Sequence, residues 1–189
     1  MKGKRLLQTL RLCLTRSGRK RADYLKKVFH SVGDHCIVMD RKIPLYPEMI
    51  SLGNNVYIGS HVFLTTHDYA HAVVNNYLKQ KGSDARASEK IGCIEIGDNV
   101  FIGSGTRVLG DVRIGSNVII GASSLVNKDI PDNSVAAGVP AKVICSFDEF
   151  VDRRLKQSDG TKRSPAGENI SAEDAENMWK AFHDKRSLT

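Results

Sequence analysis

Aliphatic residues recur every six positions at Ile96, Ile102, Val108, Ile114, Ile120 and Val126, a period that is not helical. Glycine follows four of them, at Gly97, Gly103, Gly115 and Gly121. A second small or apolar residue recurs four places on, at Val100, Thr106, Val112, Val118, Ser124 and Ile130. An upstream block obeys the same rule at Leu52, Ile58 and Leu64, with Gly53 and Gly59 behind the first two and Val56 and Val62 at the fourth place. A six-residue unit that points two side chains inward and turns a corner of little volume makes one flat side of a coil, and three such units close a turn of about 18 residues. Stacked turns pair each strand in parallel with the one below and bury the aliphatic columns. The period therefore predicts an all-β solenoid, a parallel β-helix. An ordinary sandwich is disfavoured, because strand alternation alone does not place glycine at a fixed offset.

The two blocks are out of phase. Leu64 and Ile96 are 32 residues apart, which is not a multiple of six, so the segment from about Asp68 to Glu89 is expected to bulge from the solenoid as a polar loop. A long excursion from a regular scaffold is a favoured place for recognition. The sequence divides into a basic helical arm over residues 1–31, the solenoid over 32–145 with its insertion near 68–89, and a helical extension over 146–189. In the arm, Leu6, Leu7, Leu10 and Leu14 form an amphipathic stripe among Lys4, Arg5 and Arg11, and RADYLKKVF is a second helical stretch. Beyond the solenoid, Phe147, Phe150, Val151 and Leu155 suggest a short helix, SDGTKRSPAGEN a flexible link, and Ser171 with Asp174 the cap of a last helix carrying Met178, Trp179 and Phe182.

Charge is distributed unevenly. The chain carries 28 Lys and Arg against 21 Asp and Glu, a formal net charge of +7. Ten of those bases and one acid lie in residues 1–30, which leaves 18 bases against 20 acids for the rest. A nucleic-acid-binding domain would carry its basic stripe on the folded body, so nucleic acid is not the expected partner. No apolar run is long enough to span a bilayer, and Arg11 breaks the leucine-rich start as a signal-peptide core. The arm at residues 1–21 has two readings: its leucines rest on an anionic membrane surface, or they cap the bottom of the solenoid or a neighbouring subunit. Cys13, Cys36, Cys93 and Cys145 are widely spaced with no metal-binding or disulfide pattern, which fits a reduced, cytoplasmic protein.

Two stretches, IGSNVIIGASSLVNKDIPDNSVAAGVPAKVI over residues 114–144 and VFLTTHDYAH over residues 62–71, resemble the hexapeptide-repeat acyltransferases. The branch is the one holding galactoside, maltose and xenobiotic acetyltransferases and surface-polysaccharide O-acetyltransferases. The resemblance implies a left-handed β-helix, a homotrimer with active sites between adjacent subunits, and acetyl-CoA as co-substrate with no metal required. It also implies transfer of acetyl to a sugar or glycan hydroxyl, with His67 as general base. Imidazole titrates near neutrality, which suits it to take the proton of an alcohol as the oxygen attacks a thioester. By the same resemblance Ser104, Ala122, Asn127 and Lys128 contact coenzyme A; Asp68, Tyr69, His71 and Asn75, at or on the excursion, are candidates for acceptor binding by their position. Two positions depart from the branch: Asn127 stands where Thr is usual, and Cys145 where an Arg often meets the nucleotide, leaving Lys142, Arg153 or Arg154 to substitute. Competing readings are acetylation of an antibiotic or other small hydroxyl compound, a zinc site of the carbonic-anhydrase kind built on His67, His71 and His61, and a non-catalytic scaffold.

Overall fold

A computed structural model describes residues 2–157 and 170–187. The chain divides into two compact units, Met1–Asp152 and Arg153–Thr189. Helices α1 (Lys2–Leu14) and α2 (Gly18–Leu25) precede strands β1 (Ser31–Val32), β2 (Ile37–Val38), β3 (Ile50–Leu52), β4 (Val56–Ile58) and β5 (Phe63–Thr65). After helix α3 (Ala70–Gln80) come β6 (Ile94–Ile96), β7 (Val100–Ile102), β8 (Arg107–Leu109), β9 (Val112–Ile114), β10 (Val118–Ile120), β11 (Leu125–Val126), β12 (Ser134–Ala137) and β13 (Lys142–Ser146). Helices α4 (Phe147–Gln157) and α5 (Ala172–Asp184) complete the described elements.

From β3 to β11, successive strands fall in turn on three sheets, and an isolated Ile130 bridge takes the next first-sheet place ahead of β12. The first holds β1, β3, β6 and β9, the second β2, β4, β7, β10 and β12, and the third β5, β8 and β11. All of these pairings are parallel, so the chain winds as a three-sided coil. The side chains alternate as a three-residue strand requires: Val56 and Ile58 are buried with Tyr57 outside, Val100 and Ile102 with Phe101 outside, Val112 and Ile114 with Arg113 outside. Both sequence columns point inward, including the polar members Thr106 and Ser124, whose hydroxyls donate to the carbonyl of Gly121.

Glycine and asparagine divide the work of the corners. Gly97 and Gly103 have no positive φ, but a Cβ on Gly103 would sit 2.4 Å from the Ala122 nitrogen of the next coil. The left-handed backbone falls instead on Asn55, Asn99, Asn117 and Asn133, with φ of 54–56°. Three of these stack as a ladder: Asn99 Nδ2 donates to Asn117 Oδ1 at 2.8 Å, and Asn117 Nδ2 to Asn133 Oδ1 at 2.9 Å.

Three departures from the sequence reading have physical causes. Strands β6 and β9 pair 18 residues apart, whereas β3 and β6, β4 and β7, and β5 and β8 all pair 44 apart; the difference is a 26-residue excursion in one coil. The excursion is not a plain polar loop, for it contains α3, held to its own return segment by Asn75, whose amide exchanges two hydrogen bonds with the Ala87 backbone. The last coil is tighter: Ile114 bridges to Ile130, 16 residues on, and Ile130 thus stacks on Ile114 rather than in the Val112 column that the period assigned to it. Finally, the leucine stripe of α1 does not cap this chain's own solenoid. Leu12 turns inward instead, 1% exposed, and joins Leu25, Phe29 and Ile43 in the core, while Leu6, Leu7, Leu10 and Leu14 face out.

Helix α2 is anchored by Arg21, fully buried, whose guanidinium donates to the carbonyls of Val38 at 2.7 Å, Thr15 at 2.6 Å and Arg16 at 3.1 Å. At the other end, β13 folds back antiparallel on β12 and covers the open edge of the second sheet. In the second unit, Ser171 caps α5, its hydroxyl accepting from the Asp174 nitrogen at 3.0 Å. The link SDGTKRSPAGEN lies outside the described residues.

Candidate active site

The excursion leaves and re-enters the coil through a short antiparallel neck. His67 bridges to Ile91, Asp68 N donates to the carbonyl of Lys90 at 3.2 Å, and Gly92 N to that of Thr66 at 2.8 Å. The preceding Thr66 is fully buried and bonds through its hydroxyl to the Leu45 carbonyl, which fixes the chain just ahead of the histidine. His67 is half-buried, its ring edge-on to Tyr46 with centroids 5.6 Å apart. Tyr46 takes left-handed backbone angles (φ 52°, ψ 56°), and its hydroxyl donates to Glu89 Oε2 at 2.8 Å. That hydrogen bond, with a smaller contribution from burial, pushes the phenol pKa up. Among the described residues, Nδ1 of His67 and Nδ1 of His71 are buried side-chain atoms without a hydrogen-bond partner.

His67 faces two cavities. One, of about 230 Å³, is lined by Thr65, Thr66, His67, Asp68, Lys90, Gly92, Leu109, Gly110 and Asn127. The other, of about 250 Å³ and mostly apolar, runs from His67 to Arg5 and Leu12 of α1. The first gathers His67, Asp68 and Asn127 around one mouth, where Lys90 Nζ pairs with Asp111 at 3.3 Å. Gly92 and Gly110 stack directly in its lining, where a Cβ on Gly110 would lie 3.1 Å from Gly92 Cα.

The remaining candidates separate by corner. His67, Asn127 and Lys128 lie where the third side turns into the first, whereas Ser104 and Ala122 lie where the second turns into the third, one coil apart. Within one chain the two groups flank the third sheet and do not meet. Asp68 Oδ1 accepts from Ala70 N at 2.9 Å at the start of α3, and Asn75 is committed to Ala87. Tyr69 is exposed and packs its ring edge on His71 at 4.9 Å. Lys142 lies exposed on β13, and Arg153 and Arg154 lie on α4. His61 sits on the same corner as Ser104, away from His67 and His71, and among the described residues no three His, Cys, Asp or Glu side chains are grouped to hold a metal. Tyr46 and Glu89 were not legible in the sequence: they are 43 residues apart and fall outside the six-residue period.

Comparison with known proteins places this geometry in a class. The family described as bacterial transferase hexapeptide (six repeats) matches residues 93–128. A putative acetyltransferase of Bacillus subtilis, YvoF, is 32% identical over 115 residues, covering 61% of this chain and 58% of that protein, so the chain spans little more than half the length of that relative. The galactoside O-acetyltransferase of Lactococcus lactis is 33% identical over 158 residues, covering 72% of this chain and 69% of that enzyme. A solved structure of a galactoside acetyltransferase in complex with coenzyme A superposes with a TM-score of 0.57 at 27% identity, over 88% of this chain and 90% of that one. The three-sided parallel coil and its repeats are thus those of a transferase. The chain belongs to the hexapeptide-repeat acyltransferase family.

Proposed function

We propose that this protein is an acetyl-CoA-dependent O-acetyltransferase that acetylates a sugar or glycan hydroxyl, with His67 as general base. The observation that carries the reading is His67 itself, half-buried at the neck of the excursion, opening on two cavities and with its Nδ1 uncommitted among the described residues. The acceptor oxygen attacks the thioester carbon while the imidazole takes its proton; the C–S bond breaks and the departing thiolate recovers that proton. The edge contact with Tyr46, tied to Glu89, holds the ring in place. In this reading Asp68, which lines the smaller cavity, and Tyr69 and His71, packed on each other just beyond it, bind the acceptor, with Asn75 acting through the placement of α3.

The coil is left-handed in this reading, and the working unit is a homotrimer. Two features support the trimer. The outer face of the second sheet carries an apolar ladder in register, with Tyr57 and Phe101 exposed and Ile37 and Ile119 half-buried, which a neighbouring copy would cover. Ser104 and Ala122 lie across the third sheet from His67, so coenzyme A bound along one chain's Ser104 and Ala122 meets the His67 of the next, with Asn127 and Lys128 completing the thioester end. Residues 1–31, 32–145 and 146–189 then serve as arm, catalytic coil and extension. The protein works in the cytoplasm, where acetyl-CoA is made; no described helix is long and apolar enough to cross a membrane.

The test is turnover of His67→Asn and His67→Ala with acetyl-CoA and a panel of galactosides and other sugars, read as released CoA thiol. Loss of a general base lowers the rate about a hundred- to ten-thousand-fold, with CoA affinity by calorimetry unchanged. Retention of more than about a tenth of the wild-type rate in either variant overturns the assignment.

A further inference from the structure

We propose that the outer face of α1 is a docking surface for an anionic lipid bilayer. At 100° per residue the helix has two distinct sides. One docks on the coil through Leu12, with Gln8 and Thr9 half-buried and Arg5 Nε donating to the Ile43 carbonyl at 3.2 Å. The opposite side presents Leu6, Leu7, Leu10 and Leu14, each between 54% and 74% exposed. A surface this apolar on a helix already held by its other side has no role in the fold of its own chain.

Charge selects the occupant. Residues 1–30 hold ten Lys and Arg against one acid, while the rest of the chain holds 18 bases and 20 acids. Arg11, next to Leu10, is exposed with its guanidinium over the Tyr24 ring at 4.7 Å, and Arg16 is exposed just past the helix end. A leucine stripe bordered by cations is the composition of an interfacial helix, whose apolar side enters the headgroup boundary while its bases meet anionic lipid. A second copy of the same stripe would bring like charges together. With 13 residues, α1 is too short to span, so it lies on the surface.

The placement has a consequence for the site. The inner side of α1 lines the apolar cavity that reaches His67, so docking holds that cavity one helix diameter, roughly 10 Å, from the headgroups, near a membrane where a glycan linked to a lipid carrier would be concentrated. This consequence rests on the acyl-transfer reading of His67; the docking does not.

Flotation of the full chain with phosphatidylcholine vesicles, with and without phosphatidylglycerol, tests the proposal. Binding is expected only to vesicles containing phosphatidylglycerol and falls as salt rises, since each base near an anionic surface is worth roughly fivefold in binding. Leu6→Glu with Leu10→Glu, two exposed positions, lowers the bound fraction about tenfold or more, with thermal melts and transfer to a soluble acceptor unchanged. The proposal fails if the wild type does not float with phosphatidylglycerol at low salt, or if the double variant floats equally well. It fails also if the double variant changes the mass in solution without vesicles, which would assign the stripe to a neighbouring copy. A wild type that floats but transfers no acetyl group overturns the His67 reading and leaves the docking standing.

Discussion

Replacing Asn117 separates the two demands made on a corner of the coil. Its backbone is left-handed, with φ 54°, and its side chain accepts from Asn99 and donates to Asn133. Alanine removes both hydrogen bonds and puts a Cβ without local compensation into a left-handed conformation. The hydrogen bonds are exposed and their former partners rehydrate, so their loss costs about 1 kcal/mol together, and the backbone costs about 1 kcal/mol more. Asn117→Ala should therefore destabilise by about 2 kcal/mol, a fall in Tm of roughly 4–8 °C for a chain of this size. Glycine removes the same hydrogen bonds but adopts the left-handed angles freely, so Asn117→Gly should lose only about 1 kcal/mol. Thermal melts followed by far-UV circular dichroism read the pair side by side. If glycine is as damaging as alanine, the corner does not need its asparagine for the backbone angle, and the division of labour between asparagine and glycine is wrong.

The glycine corners should reject alanine for a different reason. Gly103→Ala puts a Cβ 2.4 Å from the Ala122 nitrogen, a clash with backbone that cannot rotate away; melts should show a loss of about 3 kcal/mol or more, and a neutral result would mean the coils are further apart than described. Arg21→Ala strips the donors from three carbonyls at the base of α2 and should cost about 3 kcal/mol, measurable by urea unfolding. Desolvation lowers the Arg21 pKa, but that residue stays charged at all accessible pH, so this loss should not vary with pH. Burial pushes the Cys36 thiol up, so iodoacetamide at mildly alkaline pH should label the exposed Cys13 and Cys93 and leave Cys36 untouched until the protein is unfolded, as peptide mapping would read.

Much of the site was written in local sequence. His67 is marked by the family resemblance, in which the histidine follows one or two threonines and precedes the protruding loop; it lies at the neck of the excursion, and its role as base is the proposal made above. Asn127, 60 positions away, shares its cavity. What local sequence did not carry was the support: Tyr46 meets His67 because the preceding coil lies beside the neck, where the Leu45 carbonyl accepts from Thr66, and Glu89 reaches Tyr46 only after α3 has returned the chain. Helix α3 does carry a helical spacing at Val73, Val74, Tyr77 and Leu78, embedded in polar residues, and Val73, Val74 and Tyr77 stay exposed rather than packing on the coil.

The sequence by itself determined the coil, because a period of six with glycine at a constant offset is a local rule that each unit satisfies separately. Ile96, Ile102, Val108, Ile114, Ile120 and Val126 are inside for the same reason they are evenly spaced. The tertiary structure alone decided which corner each functional residue occupies. A coil of 16, 18 or 44 residues brings different positions into register, and the length of each coil is set by how the chain closes on the layer beneath. It also decided which side of α1 is buried. Leu12 and the four leucines opposite it are equally hydrophobic, and only the fit against Leu25, Phe29 and Ile43 distinguishes them.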